Sequence, residues 1–174
     1  VINSISRVRQ STLRMVRELS QENLRWQPAS FANPVGFLLF HIFRSEDRYF
    51  HGRLGSPDEI WEREGWNQRW KLPEPHPDAP ERWYSQTGSS WTPEQVTSWE
   101  PPLKVELLDY GKRVRESVLR VLQEFDLARL PIVPRQDRPT YTYADYMHQI
   151  SHHEAQHQGQ IDYLIGLMRG QMGV

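Results

Sequence analysis

The stretch "SHHEAQHQGQIDYL", Ser151 to Leu164, holds three of the seven histidines in the chain, and a fourth, His148, lies just upstream. His153 and His157 spell H-E-x-x-H with Glu154 between them. No proline interrupts the sequence from Tyr143 to Arg169. At about 100° per residue, a helix here sets Ile150, Ile161, Leu164 and Met168 within about 40° of His157. His157 then sits in the apolar stripe, with His153 on the same face one turn earlier. His148 and His152 fall about 180° and 140° away, toward solvent. Both pairs are spaced i,i+4, but only His153 and His157 point inward. Two inward imidazoles on one turn chelate a single ion at little ordering cost. The bland alternative is a pair of hydrogen-bonded core histidines.

Working outward, Thr142 with Asp145 predicts the cap of this last helix, about 143 to 169, and Gly170 and Gly173 its end. Residues 1 to about 24 predict a first helix, with Ile2, Ile5, Val8, Leu13, Val16 and Leu19 recurring at helical steps. Asn33-Pro34 opens a second, to about Gly52, since Asn caps well and Pro suits the first turn. Leu107, Val114, Val118, Val121 and Phe125 mark a third, from Leu103 to Phe125, with Gly111 inside it as a place of close approach. Between the second and third lies a long connection that carries six tryptophans (61, 66, 70, 83, 91 and 99). "KLPEPHPDAP" (71–80) cannot be regular helix. Ser56-Pro57 predicts a short helix through Trp61. Thr92-Pro93 with Gln95 predicts a capped one to Trp99, closed by Pro101-Pro102. So many tryptophans mark an ordered connection that walls a pocket or pads the bundle. Residues 130–142 read as a loop with room for a short hairpin.

These segments define one all-α domain over residues 1–174: a four-helix bundle with a long Trp/Pro-rich connection between helices 2 and 3. The formal charge is −1 and the isoelectric point about 6.7. Neither leaves the basic footprint of a nucleic-acid or membrane-surface binder. The absence of cysteine excludes disulfides and thiolate metal ligands from the chain itself. With no signal-peptide pattern and no apolar run of about 18 residues, a cytoplasmic protein is expected.

A third ligand for the His153/His157 pair is sought on the second helix. His41 shares a face there with Phe37 and Leu38 and is the best candidate. His51, at the helix end, and His76, in the proline-rich segment, are expected to be exposed. Glu46 lies about 140° round the helix from His41, so it is not expected to share a metal. H-E-x-x-H also occurs in zinc proteases, where the Glu is the general base. The following "QGQIDYL" lacks the extended form of that motif, and no sheet edge is evident to hold a peptide.

"FLLFHIFRSEDRYF" (37–50) and "HHEAQHQGQIDYLIGLM" (152–168) resemble the DinB/YfiT-like superfamily. The match lies in His41 with Glu46 following, then His153, His157 and Gly159-Gln160-Ile161. The resemblance implies a four-helix bundle, often a homodimer, with a divalent metal, usually zinc or nickel, on His41, His153 and His157. It also implies a small-molecule substrate and a low-molecular-weight thiol cofactor of the bacillithiol, mycothiol or glutathione kind. Three imidazoles leave an open coordination position, the pattern of a catalytic site. The expected function is a metal-dependent thiol S-transferase. A metal-dependent hydrolase and a non-catalytic metal-binding dimer are the alternatives. Glu154 is the candidate catalytic side chain, and it and Gln160 flank the His153/His157 pair.

Overall fold

A computed structural model describes residues 1–54, 58–75, 77–78 and 86–170. Helix α1 spans Ile2–Val16 and buries Ile5, Arg9, Thr12 and Val16. It stops well short of residue 24. The side chain of Ser20 accepts from Asn23 N, and Asn23 Oδ1 accepts from Ser20 N, which starts a separate short helix, α2 (Gln21–Arg25). Ser and Asn offer the backbone local hydrogen bonds that compete with helix continuation, and here they win over the apolar spacing.

Helix α3, Val35–Leu54, is the central helix. Every residue from Pro34 to Asp47 is buried. The apolar and charged residues of that stretch are therefore all interior. Helix α7 (Lys104–Glu124) packs on one side of it and α8 (Tyr143–Met168) on another, while α1 packs against α8. Gly111 is a place of close approach between α7 and α3. A Cβ there would lie 2.6 Å from the Phe43 ring of α3. The Thr142–Asp145 capping box starts α8 as expected, and Gly170, at φ +63°, follows its end. Gly173 lies outside the described residues.

The connection forms α4 (Ile60–Arg63), α5 (Trp66–Arg69) and α6 (Pro93–Ser98), the last opened by the expected Thr92–Gln95 capping box. Ser56-Pro57, His76 and Trp83 lie outside the described residues. Trp61, Trp66, Trp70 and Trp99 are buried. Phe40 meets Trp61, Trp70, Trp91 and Trp99 at ring-centroid distances of 4.9–6.4 Å, and Tyr110 of α7 meets Trp61, Trp66 and Trp70. The tryptophans thus extend the core around Phe40 of α3 and Tyr110 of α7. After α7, a 3₁₀ turn at Leu127–Arg129 leads into the 130–142 loop. No strand occurs among the described residues. The loop is instead tied back by Tyr143 N donating to Ile132 O and Ala144 N to Leu130 O. No helix among the described residues is long and apolar enough to cross a membrane.

Candidate metal centre

Helices α3 and α8 bring His41, His153 and His157 together. The Nε2 atoms of His41 and His153 are 3.0 Å apart, and those of His153 and His157 are 3.2 Å apart. His41 is buried and the other two are half-buried. The three ring centroids lie 4.5–4.9 Å from one another. Among the described residues this is the only group of three or more His, Cys, Asp or Glu side chains with metal-binding geometry.

Two of the remaining ring nitrogens, those of His41 and His157, are held from behind. His41 Nδ1 donates to the Thr87 carbonyl at 2.8 Å. His157 Nδ1 donates to Gln160 Oε1 at 2.7 Å. A carbonyl oxygen only accepts, so the proton of each neutral ring sits on Nδ1 and leaves Nε2 bare. Burial, and then the neighbouring His157, lowers the His41 pKa to about 4. Burial, and then His41 and His157, lowers that of His153 to about 3. Burial also lowers His157. The rings are therefore neutral near pH 7, the state that binds a metal. Phe37 stacks on His41, with planes 12° apart, and Trp91 lies against Phe37, so one tryptophan of the connection backs the centre.

This donor set fits a divalent cation. His153 can offer its Nε2 proton, if it has one, to only one of two bare nitrogens, so converging lone pairs stay unsatisfied without a cation. A metal about 2.0–2.1 Å from two nitrogens spans about 3.0 Å between them at a right angle and about 3.4 Å at the tetrahedral angle. The two separations from His153 fall in that window, and all three ligand atoms lie within 4.8 Å of one another. An all-imidazole set suits zinc, nickel, iron and copper alike.

Glu154 faces away from these rings. Its Oε1 accepts from Arg9 Nε at 2.6 Å and Thr12 Oγ1 at 3.3 Å, and its Oε2 from Arg115 Nη2 at 2.7 Å. Burial pushes its carboxyl up, but the charges of Arg9 and Arg115 outweigh that and hold it below the usual carboxylate range. Glu46 joins the same network and, as its helical angle predicts, is away from the three histidines. Gln160 lies beside His157 as expected, whereas Thr87 was not foreseen, because a backbone carbonyl leaves no residue-type signal.

His148 and His152 are exposed as predicted. His51 is not: it is 1 % exposed. Helix α3 runs on past Gly52, and α7 covers this turn of it. His51 Nδ1 pairs with Asp47 Oδ1 at 2.8 Å, and its Nε2 meets Ser117 Oγ at 2.8 Å. Among the tyrosines of α3 and α8, Tyr143 and Tyr146 are buried, Tyr49 is partly buried, and Tyr163 is 64 % exposed.

Comparison with known proteins agrees with this architecture. The family model of the DinB superfamily matches residues 4–161, and the chain belongs to that superfamily. A solved structure described as the conserved protein of locus from Enterococcus faecalis superposes with a TM-score of 0.82. It shares 20 % identity, and the alignment covers 98 % of this chain and 95 % of that one. At this identity the likeness is one of fold. No curated protein matches the chain.

Proposed function

We propose that the protein is a divalent-metal-dependent enzyme whose centre is His41, His153 and His157, and that it transfers a small thiol to an electrophilic substrate. The observation that supports this most directly is the convergence of three neutral imidazoles, two of them, His41 and His157, with their Nδ1 protons engaged elsewhere. When bound, a divalent cation supplies a Lewis acid that lowers the pKa of a thiol or water. Three protein ligands leave room for one.

The chain's own residues do the rest. Thr87 and Gln160 fix the tautomers and ring planes of His41 and His157. Phe37 and Trp91 give His41 an apolar backing. The nucleophilic sulfur has to come from outside, because the chain has no cysteine. A small external thiol would lose its proton, and its sulfur would form a bond to carbon as the electrophile's leaving group departs. Glu154 has no proton-transfer part in this scheme, since its carboxylate is committed to Arg9 and Arg115. The hydrolytic alternative rests on that carboxylate and gains no support from its position.

The test is metal content by mass spectrometry, wild type beside His41→Ala. About one metal per chain is expected in the wild type after incubation with zinc or nickel, and loss of it in the variant. A wild type that takes no metal overturns the proposal. With metal established, a screen of low-molecular-weight thiols against alkylating electrophiles checks the transferase step.

A further inference from the structure

Two arginines that touch no histidine of the centre tie its two helices together. Arg9 comes from α1 and Arg115 from α7, and neither helix supplies a metal ligand. Between them lie Glu46 of α3 and Glu154 of α8, which is the residue after His153. Arg9 reaches Glu46 Oε2 at 2.6 Å through Nη2 and Glu154 Oε1 at 2.6 Å through Nε. Arg115 reaches Glu46 Oε1 at 2.6 Å through Nε and Glu154 Oε2 at 2.7 Å through Nη2. Each guanidinium thus bridges both carboxylates. All four side chains are at least nine-tenths buried, with two positive charges against two negative.

The spare donors are used as well. Arg9 Nη1 donates to Gly111 O at 3.1 Å, and Arg115 Nη1 donates to Ile5 O. The Arg9 guanidinium also lies 4.4 Å from the centroid of the Phe43 ring. All four bundle helices therefore meet in one closed polar network that has little freedom to slide.

We infer that Arg9 and Arg115 are positioning residues for the three-histidine centre, clamping Glu46 to Glu154 and so fixing the register of His41 against His153. This rests on the metal reading above. Both carboxylates of the clamp lie close along the chain to metal ligands. Glu154 is bonded to His153 in the chain, and Glu46 lies little more than one turn after His41. Removing one guanidinium leaves two buried carboxylates sharing one cation, and their repulsion drives α3 and α8 apart. Lysine keeps the charge but lacks the planar fork that bridges two carboxylates.

The experiment uses the full chain and its variants R9K, R115K and R115M, with V118A as a control that loosens the core beside the network without removing any of its charges. Val118 is fully buried on α7. Two quantities are read: affinity for zinc or cobalt alone, with the cobalt absorption spectrum, and the His41–His153 Nε2 separation in metal-free crystals. The clamp variants should lose about tenfold or more in affinity, show a shifted cobalt spectrum, and widen the separation beyond 3.0 Å. V118A should keep affinity and spectrum even at an equal or greater loss in Tm. If R115M does not fold, the lysine variants carry the test. Unchanged affinity, spectrum and separation in folded clamp variants overturn the inference. So does an affinity loss that V118A matches at equal Tm. A wild type without metal whose clamp variants still widen the separation would overturn the metal reading and leave the clamp standing.

Discussion

His41 Nε2 and His153 Nε2 lie 3.0 Å apart across 112 residues of sequence. That is hydrogen-bonding distance, but His153 Nε2 has at most one proton to share between two bare nitrogens. The Nδ1 atom of His41 is oriented from behind by Thr87 and that of His157 by Gln160, and His157 completes the set from one turn along α8. If a cation is what the arrangement serves, the two histidine pairs of α8 must behave differently. His153→Ala should abolish stoichiometric zinc or nickel. A double variant, His148→Ala with His152→Ala, should keep about one metal per chain. Metal content after gel filtration distinguishes them, and equal loss in both would sink the assignment.

The hydrogen bond from His157 to Gln160 makes a finer prediction. Gln160→Ala removes the acceptor that fixes the His157 tautomer, so zinc affinity should fall about tenfold. Gln160→Glu places a carboxylate on Nδ1–H, makes the ring more basic, and should tighten binding. Competition titration against a chromophoric chelator reads both. A Glu variant no tighter than wild type would mean that Gln160 does not orient the ligand.

Gly111 offers a packing test. Its missing Cβ leaves space for Phe43, whose ring carbons would lie 2.6–2.8 Å from a methyl there. A phenyl ring buried between two helices and under Arg9 has little room to yield. Gly111→Ala should therefore cost about 1–3 kcal/mol by overpacking, despite the better helix propensity of alanine. Urea unfolding measures it, and a neutral or stabilising result would show that α3 and α7 can part easily.

Much of this was open to sequence reasoning, and the failures have physical causes. The inward face of α8 followed from Ile150, Ile161 and Leu164 around His157, because one periodicity set both core and site. The capping boxes at Thr92 and Thr142 were legible because three residues suffice to make them. Helix α1 ended early because the Ser20–Asn23 side-chain bonds override an apolar spacing that reaches Leu19. The signal for the buried network was present but unread: Arg9 falls on the same stripe as Ile5, Thr12 and Val16. A charged residue at a core register position indicates a buried partner. The partners themselves come from α3 and α8, and only the tertiary fold can supply them. His51 was misplaced for the same reason, since α7 supplies the Ser117 that covers it.

Asp47 yields a pH prediction away from the metal centre. Burial pushes its carboxyl up, but the hydrogen bond with His51, the charge of Arg44 and the Tyr110 hydroxyl outweigh that and leave it below the usual range. It also accepts from the backbone N–H groups of Ile60 at 3.0 Å and Trp61 at 2.9 Å, which anchors α4 to α3. A carboxylate with a lowered folded-state pKa stabilises the fold fully above its unfolded value, about 3.9. That contribution is lost as pH falls through the lower, folded-state value. Asp47→Asn should therefore cost about 3 kcal/mol near neutral pH, as for a broken buried ion pair. The gap from wild type should close as both are taken to acid. Denaturant midpoints compared at pH 7 and at successively lower pH measure the gap. A difference that stays constant down the series would mean that Asp47 contributes through shape and hydrogen bonding and not through its charge.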